Sequence, residues 1–336
     1  MALLLCLPLG GCKQGSVRYT EYSFDYFDTV TTVLGYAASR EDFDAVYADI
    51  QAQLKEYHQL YNIYNRYEGI NNLAVVNEVR NGTHSEVKVD RKIIDLLLYA
   101  KEMYTLSGGK VNVAMGSVLS IWHDYRTDGM SDPDHAQLPP MEKLRAAALH
   151  TDISKVVINE AESTVFLADP EMRLDVGAIA KGYAAEMVAQ SLEARGITGY
   201  LLNLGGNLRA IGARGDGTPW VAGIENPDTA DAENPYIATL SLESQALVTS
   251  GSYQRYYTVD GKNYHHIIDG ETLMPGEKYR SVSVLSPNSG QGDALSTALF
   301  LMEQEEGEQM IASLSGVEAM WVLPNGTQKY SAGFPK

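Results

Sequence analysis

Between Tyr200 and Gly212 the chain reads YLLNLGGNLRAIG, two strand-length apolar runs joined by a pair of glycines. Adjacent glycines admit the positive φ angles of a tight antiparallel reversal, so the segment predicts a hairpin. The pattern returns beyond Pro235 with YIATLSLE, ALVTS, then YYTV and YHHIID about Asp260-Gly261, and a last hairpin around Pro324-Asn325-Gly326. Upstream, KVVINE and STVFLA form another candidate hairpin, leading into Met172 to Val176 as a short buried strand.

Helices lie between these runs. Tyr19 to Ala37, rich in Thr, Val and Tyr, reads as strand; Ser39 with Asp42 then resembles a capping box, and Phe43, Val46, Tyr47, Ile50, Leu54, Tyr57 and Tyr61 recur at helical spacing. A second helix spans about Asp90 to Leu106 and stops at Gly108-Gly109. A third runs from Ile179 to Arg195, with Tyr183, Met187, Val188, Ser191 and Leu192 on one face and Gly196 at its end. With the flanking strands it makes a β-α-β-β unit. A last helix is expected over about Asp293 to Leu314. Hairpins mixed with segregated helices predict an α+β fold of mixed sheets rather than a doubly wound one.

The formal net charge of -17 argues against nucleic acid as a partner. It also means that an anionic ligand needs a metal ion or a few placed cations. The opening MALLLCLPLGGC resembles a bacterial lipoprotein signal with Cys12 as the lipidated residue, which predicts an extracytoplasmic, lipid-anchored protein on a bacterial cell membrane. Because a charged n-region is missing, a clipped secretory signal or a cloning remnant also fits. The run is too short to span a bilayer. Residues 1–18 are accordingly read as signal and tether and 19–336 as one domain. Cys6 and Cys12 are the chain's cysteines, which excludes a structural disulfide or a Cys-based zinc site in the mature domain.

Familiar catalytic motifs are absent. Gly212-Ala-Arg-Gly215-Asp-Gly217 fits neither a dinucleotide fingerprint nor a Walker A loop, Thr249-Ser250-Gly251-Ser252 lacks the glycines of a nucleophile elbow, and no His-x-x-x-His pair exists. Asp293 and Thr297, four apart, face the same way on a helix and offer hard oxygens suited to Mg²⁺; Asp293 also suits a helix N-cap. His265 and His266 sit on a predicted strand, where alternation lets one of them face a site.

Seven segments, in order, resemble the ApbE family of flavin transferases: FDTVTT (27–32), NIYNRYEGINNL (62–73), VNVAMGSVLSIW (111–122), LDVGAIAKGYAAE (174–186), LLNLGGNLRAIG (201–212), TSGSYQRYYTVDGKNYHHIID (249–269) and GDALSTALF (292–300). The resemblance implies a fold related to the T-fold. It implies Mg²⁺ held by Asp293, Thr297 and the Ala178 carbonyl, with Ser296 contributing. It implies FAD contacts at Phe27, Tyr64, Lys110, Val111, Asn112, Asp175, Lys181 and Ile268. Its His-x-x-Asp pattern selects His266 and Asp269 as the catalytic pair. An imidazole suits the task of accepting a hydroxyl proton, since its ordinary pKa lies near neutrality.

The activity implied is transfer of FMN from FAD to a Thr or Ser of an acceptor protein, with release of AMP. Two rivals share the same residues: an FAD pyrophosphatase that releases FMN and AMP, and a lipoprotein that only binds flavin.

Overall fold

The computed structural model describes residues 15–79 and 85–335. Cys12, and with it the proposed signal, lies outside the described residues. An eight-stranded antiparallel sheet forms the centre, in the order Val17–Ser23, Thr31–Ala37, Tyr200–Leu204, Asn207–Ile211, Ala246–Gly251, Ser281–Ser286, Glu318–Val322 and Gln328–Tyr330. Gly205 and Gly206 both take positive φ, 57° and 93°, and set the Leu204↔Asn207 register of the central hairpin.

Strand alternation sends successive residues to opposite faces. Leu202 and Trp321 join the helical side, while Leu201 and Met320 join the other. On the helical side lie Arg40–Tyr61, Arg91–Leu106, Ala180–Glu193 and Ser289–Leu301. The hairpin Trp220–Glu225 with Tyr236–Leu242 covers the opposite face. A third apolar cluster joins the helices Gly116–Ser131 and Met141–Ala148 to the hairpin Tyr256–Val259 with Lys262–His265. No helix among the described residues is long and apolar enough to cross a membrane.

The α+β reading holds, as do several local expectations. Ser39 caps its helix by accepting the Asp42 N–H, Asp90 caps Arg91–Leu106, and Val156–Asn159 pairs with Thr164–Leu167. Four expectations change. Tyr19 to Ala37 is a hairpin with a loop at 24–30, because Ser23 pairs with Thr31 and the chain must reverse between them. Met172 to Val176 forms no strand and makes a single bridge, Met115 to Arg173, so the β-α-β-β unit loses its first strand. The last helix is two, Ser289–Leu301 and Gln304–Ala312. Its first part begins four residues earlier than expected, since the Asn288 side chain caps it by accepting the Gln291 N–H, which leaves Asp293 free of capping.

Candidate active site

Asp293 sits in the second turn of Ser289–Leu301, where that helix meets Ala180–Glu193. A Cβ on Gly182 would lie 2.4 Å from both the Asp293 Cβ and the Ser289 carbonyl oxygen, so the helices meet where only glycine fits. The contact lets the Gly182 N–H donate to Asp293 Oδ2 at 2.8 Å. Behind it, buried Glu186 accepts from Ser289 N–H at 2.8 Å and from Arg209 Nε at 2.9 Å, which fixes the start of the helix carrying Asp293. Burial pushes the Asp293 carboxyl pKa up, against the opposing pull of Lys181 and the Gly182 N–H.

A cleft of about 510 Å³ opens in front of this helix pair. Asp293, Thr297 and Ala178 all line it. Ser296 does not: it is fully buried, donates to the Asp293 carbonyl at 3.0 Å and meets Ser250 Oγ at 2.8 Å. Ser250, on the neighbouring strand, reaches Thr297 Oγ1 at 3.4 Å and lines the cleft itself. One carboxylate among neutral oxygens fits Mg²⁺, which fills its remaining positions with water and phosphate oxygens. The described residues hold no cluster of three or more His, Cys, Asp or Glu that would make an all-protein cage. Asn207 also lines the cleft, and its side-chain amide faces the Asp293 carboxylate, where it adds to the downward pull on that group.

The two histidines separate clearly. His265 is buried; its Nε2 donates to the Gly276 carbonyl at 2.7 Å, its Nδ1 accepts from Ile267 N–H at 3.2 Å, and its ring meets Phe300 edge-on. Both ring nitrogens are therefore engaged. His266 follows the strand and lines the cleft, with Nδ1 3.2 Å from the Arg255 carbonyl. A carbonyl can only accept, so Nδ1 carries the proton and the Nε2 lone pair is free. Crowding by protein, then the charges of Arg255 and Arg126, push the His266 pKa down to about 3 although solvent reaches the ring through the cleft mouth. The imidazole is a neutral base at physiological pH, with a pKa well below the ordinary value expected from sequence.

Of the expected flavin contacts, Tyr64, Lys110, Val111, Asn112, Asp175, Lys181 and Ile268 line the cleft. Tyr64 is half exposed and stacks on His123 with centroids 5.0 Å apart. Asp175 accepts the Gly177 N–H at 2.8 Å, and burial pushes its pKa up. Lys110 pairs with Glu271 at 2.7 Å. Phe27 stands behind the lining, with its N–H on His58 Nδ1 at 3.1 Å and its ring against the same histidine; Asp28, Thr29 and Val30 are the loop residues that reach the cleft. Asp269 is outside the cleft too. Its carboxylate accepts the Glu271 N–H at 2.8 Å and faces Lys110 at 4.0 Å, beside a smaller cavity.

Sequence reasoning passed over Ser250, Asn207, His123, Arg126 and Arg255. His123 and Arg126, three apart on one helix, carried a spacing signal; the others belong to strands and loops that only the sheet brings together.

A cleft between a helix-backed antiparallel sheet and a helical cap, with an oxygen donor set, unpaired cations and one neutral base, defines a phosphoryl-transferring enzyme of the α+β class. The chain belongs to the ApbE family, whose profile matches residues 20–321. It is 30% identical over 348 aligned positions to an FAD:protein FMN transferase of Treponema pallidum, covering 99% of this chain and 93% of that one. It is 35% identical over 240 to one of Klebsiella pneumoniae, with 71% of each covered. Among solved structures it resembles an ApbE protein of Thermotoga maritima, with a TM-score of 0.80 at 25% identity and coverage of 94% and 97%. The flavin transferase ApbE of Vibrio cholerae, at 23% identity and TM-score 0.75 over 95% and 98%, shares the fold.

Proposed function

We propose that this chain is a Mg²⁺-dependent FAD:protein FMN transferase. The observation that carries the reading is the placement of Asp293, Thr297 and a neutral His266 with a free Nε2 in one cleft. Asp293, Thr297 and the Ala178 carbonyl would hold Mg²⁺, which when bound neutralises charge on the pyrophosphate. His266 Nε2 takes the proton from the acceptor's Thr or Ser hydroxyl. The oxygen then forms a bond to the FMN phosphorus as the bond from that phosphorus to the oxygen of AMP breaks, and AMP leaves with the electron pair. Asp175, Tyr64, Lys181 and Ile268 hold the flavin nucleotide. Ser296 and Asp269 act one layer back, Ser296 by fixing Ser250 and Asp269 by shaping the turn that carries Glu271 and facing Lys110.

Incubating the full chain with FAD, Mg²⁺ and an acceptor protein tests this. Flavinylated acceptor with stoichiometric AMP is the expected result. Free FMN with AMP would make it a pyrophosphatase, and intact FAD a flavin-binding protein.

The leader supports a further proposal, that Cys12 is lipidated and anchors the enzyme on the outer side of a bacterial cell membrane. Cys12→Ser is expected to move the protein from the membrane to the soluble fraction with its activity intact; equal membrane retention would reject the anchor.

A further inference from the structure

Two guanidinium groups in the cleft have no role in the reaction described so far. Arg126 comes from the helix Gly116–Ser131 and Arg255 from the turn before Tyr256–Val259, and both line the cleft. Arg126 meets His123 Nδ1 at 3.1 Å and Arg255 donates to the Asp28 carbonyl at 2.9 Å. Neither forms an ion pair with a carboxylate among the described residues. Acidic residues outnumber basic ones 43 to 26, so a counter-ion for half-buried Arg126 or exposed Arg255 is easy to come by in this chain. Asp175 is the carboxylate near Arg126 and acts on it through space, but the two stand beyond ion-pair distance. Of the other cleft cations, Lys110 pairs with Glu271, and Lys181 acts through space on Asp293, the carboxylate assigned to the metal.

Position narrows what the free pair can hold. His266 and both arginines line the same cleft, and the charges of Arg255 and Arg126 both act on the His266 ring, so the guanidiniums stand on the side of the cleft where the base works. The base takes the proton of the acceptor hydroxyl, whose oxygen attacks the phosphorus of the FMN half, so that phosphoryl group comes to lie beside the base. Planar guanidinium forks match phosphate oxygens with two parallel hydrogen bonds, and two of them can span the oxygens of one phosphoryl group.

We propose that Arg126 and Arg255 contact the transferred phosphoryl group, holding the phosphate of the FMN half of FAD as the acceptor oxygen bonds to it and the bond to AMP breaks. They bind the nonbridging oxygens throughout and neither gain nor lose a proton. The proposal rests on the transferase reading and adds two catalytic residues to it.

Binding of FMN and of riboflavin, which lacks the phosphate, separates this role from contact with the flavin ring. In the full-length protein with Mg²⁺, Arg126→Gln and Arg255→Gln are each expected to weaken FMN about tenfold, the effect of one charge-assisted hydrogen bond, and to leave riboflavin unchanged. Arg126→Lys and Arg255→Lys keep the charge and should lose less; they carry the test if a Gln variant does not fold. Equal losses for FMN and riboflavin, or unchanged FMN binding, would overturn the proposal. AMP release by the wild-type enzyme with an acceptor is scored separately: its absence would reject the transferase reading, while the FMN and riboflavin comparison still judges the arginines.

Discussion

The two walls of the cleft are built differently. The wall bearing Asp293 is a contact between two helices, closed by Gly182, backed by the buried Glu186 and Arg209 pair, and already hydrogen-bonded before any ligand arrives. The facing wall is drawn from the 24–30 loop, the helix Gly116–Ser131 and the stretch after Gly251; Tyr64 is half exposed, and Phe27 and Asp28 take left-handed φ angles of 55° and 49°. Backbone in that region costs a non-glycine residue of order 1 kcal/mol or more and persists only where its surroundings enforce it. Here the enforcing contacts are His58 on the Phe27 N–H and Arg255 on the Asp28 carbonyl. The helix-packed wall suits a fixed metal site, and the loop-built wall presents the base, the two arginines and flavin contacts such as Tyr64 to the substrate and the acceptor hydroxyl.

If the closed wall does the metal work, Asp293→Ala has the largest effect. Turnover is expected to fall to background, further than the ~10²–10⁴-fold loss of a general base, because both the ion and the pyrophosphate it would hold are affected. Calorimetry should show FAD affinity in the variant no longer responding to EDTA. Wild-type FAD affinity and activity that ignore EDTA would remove the metal from this wall.

The His266→Ala variant attacks the other wall and should fall by ~10²–10⁴-fold in acceptor flavinylation while keeping FAD affinity. A fully active variant would show that another group, or water, takes the proton.

The pH profile then separates the walls. Crowding and the two guanidiniums push the His266 pKa down, whereas burial pushes that of Asp293 up, so the acid limb of kcat/KM is expected to follow Asp293 and the ion it would hold. Raising Mg²⁺ is therefore expected to move that limb to lower pH, since the ion competes with the proton. A limb fixed near the ordinary histidine value of about 6.5 at every Mg²⁺ concentration would assign it to His266 instead. The stability consequence has its own sign. A histidine whose folded pKa lies below its unfolded one leaves the native state unaffected at neutral pH and destabilises it as pH falls from about 6.5 toward 3, where the unfolded chain takes the proton.

The contrast between walls also accounts for what could be read in advance. Helical spacing relates Asp293 to Thr297, but it left Asp293 equally suited to a helix N-cap; the family resemblance singled out that pair and Lys181, which the fold brings to one cleft. Arg255, Asn207 and Ser250 were not legible, because strand order places them together and no local pattern encodes that order. Asp269 and Ser296 show the complementary difficulty: a motif names a position, and only packing decides whether its side chain faces the cleft or the turn behind it. Helix ends were misjudged for a related reason. Asn288, a capping residue outside the recognised motif, sets the start of the helix and moves Asp293 into its interior.

The smallest catalytic effect is expected one residue from the largest on the open wall. Strand alternation alone suggests that His265→Ala leaves the enzyme near wild type, but His265 is buried with both nitrogens bonded and its ring against Phe300. Removing it strands the Gly276 carbonyl and the Ile267 N–H, at a cost of about 1–3 kcal/mol for a buried group left unpaired. The variant is therefore expected to unfold at lower denaturant concentration with an unchanged slope, while kcat at low temperature stays within a few-fold of wild type. Denaturant titration beside initial rates of flavinylation measures both quantities on one preparation. A loss of kcat as large as that of His266→Ala, with unaltered stability, would exchange the roles of the two histidines.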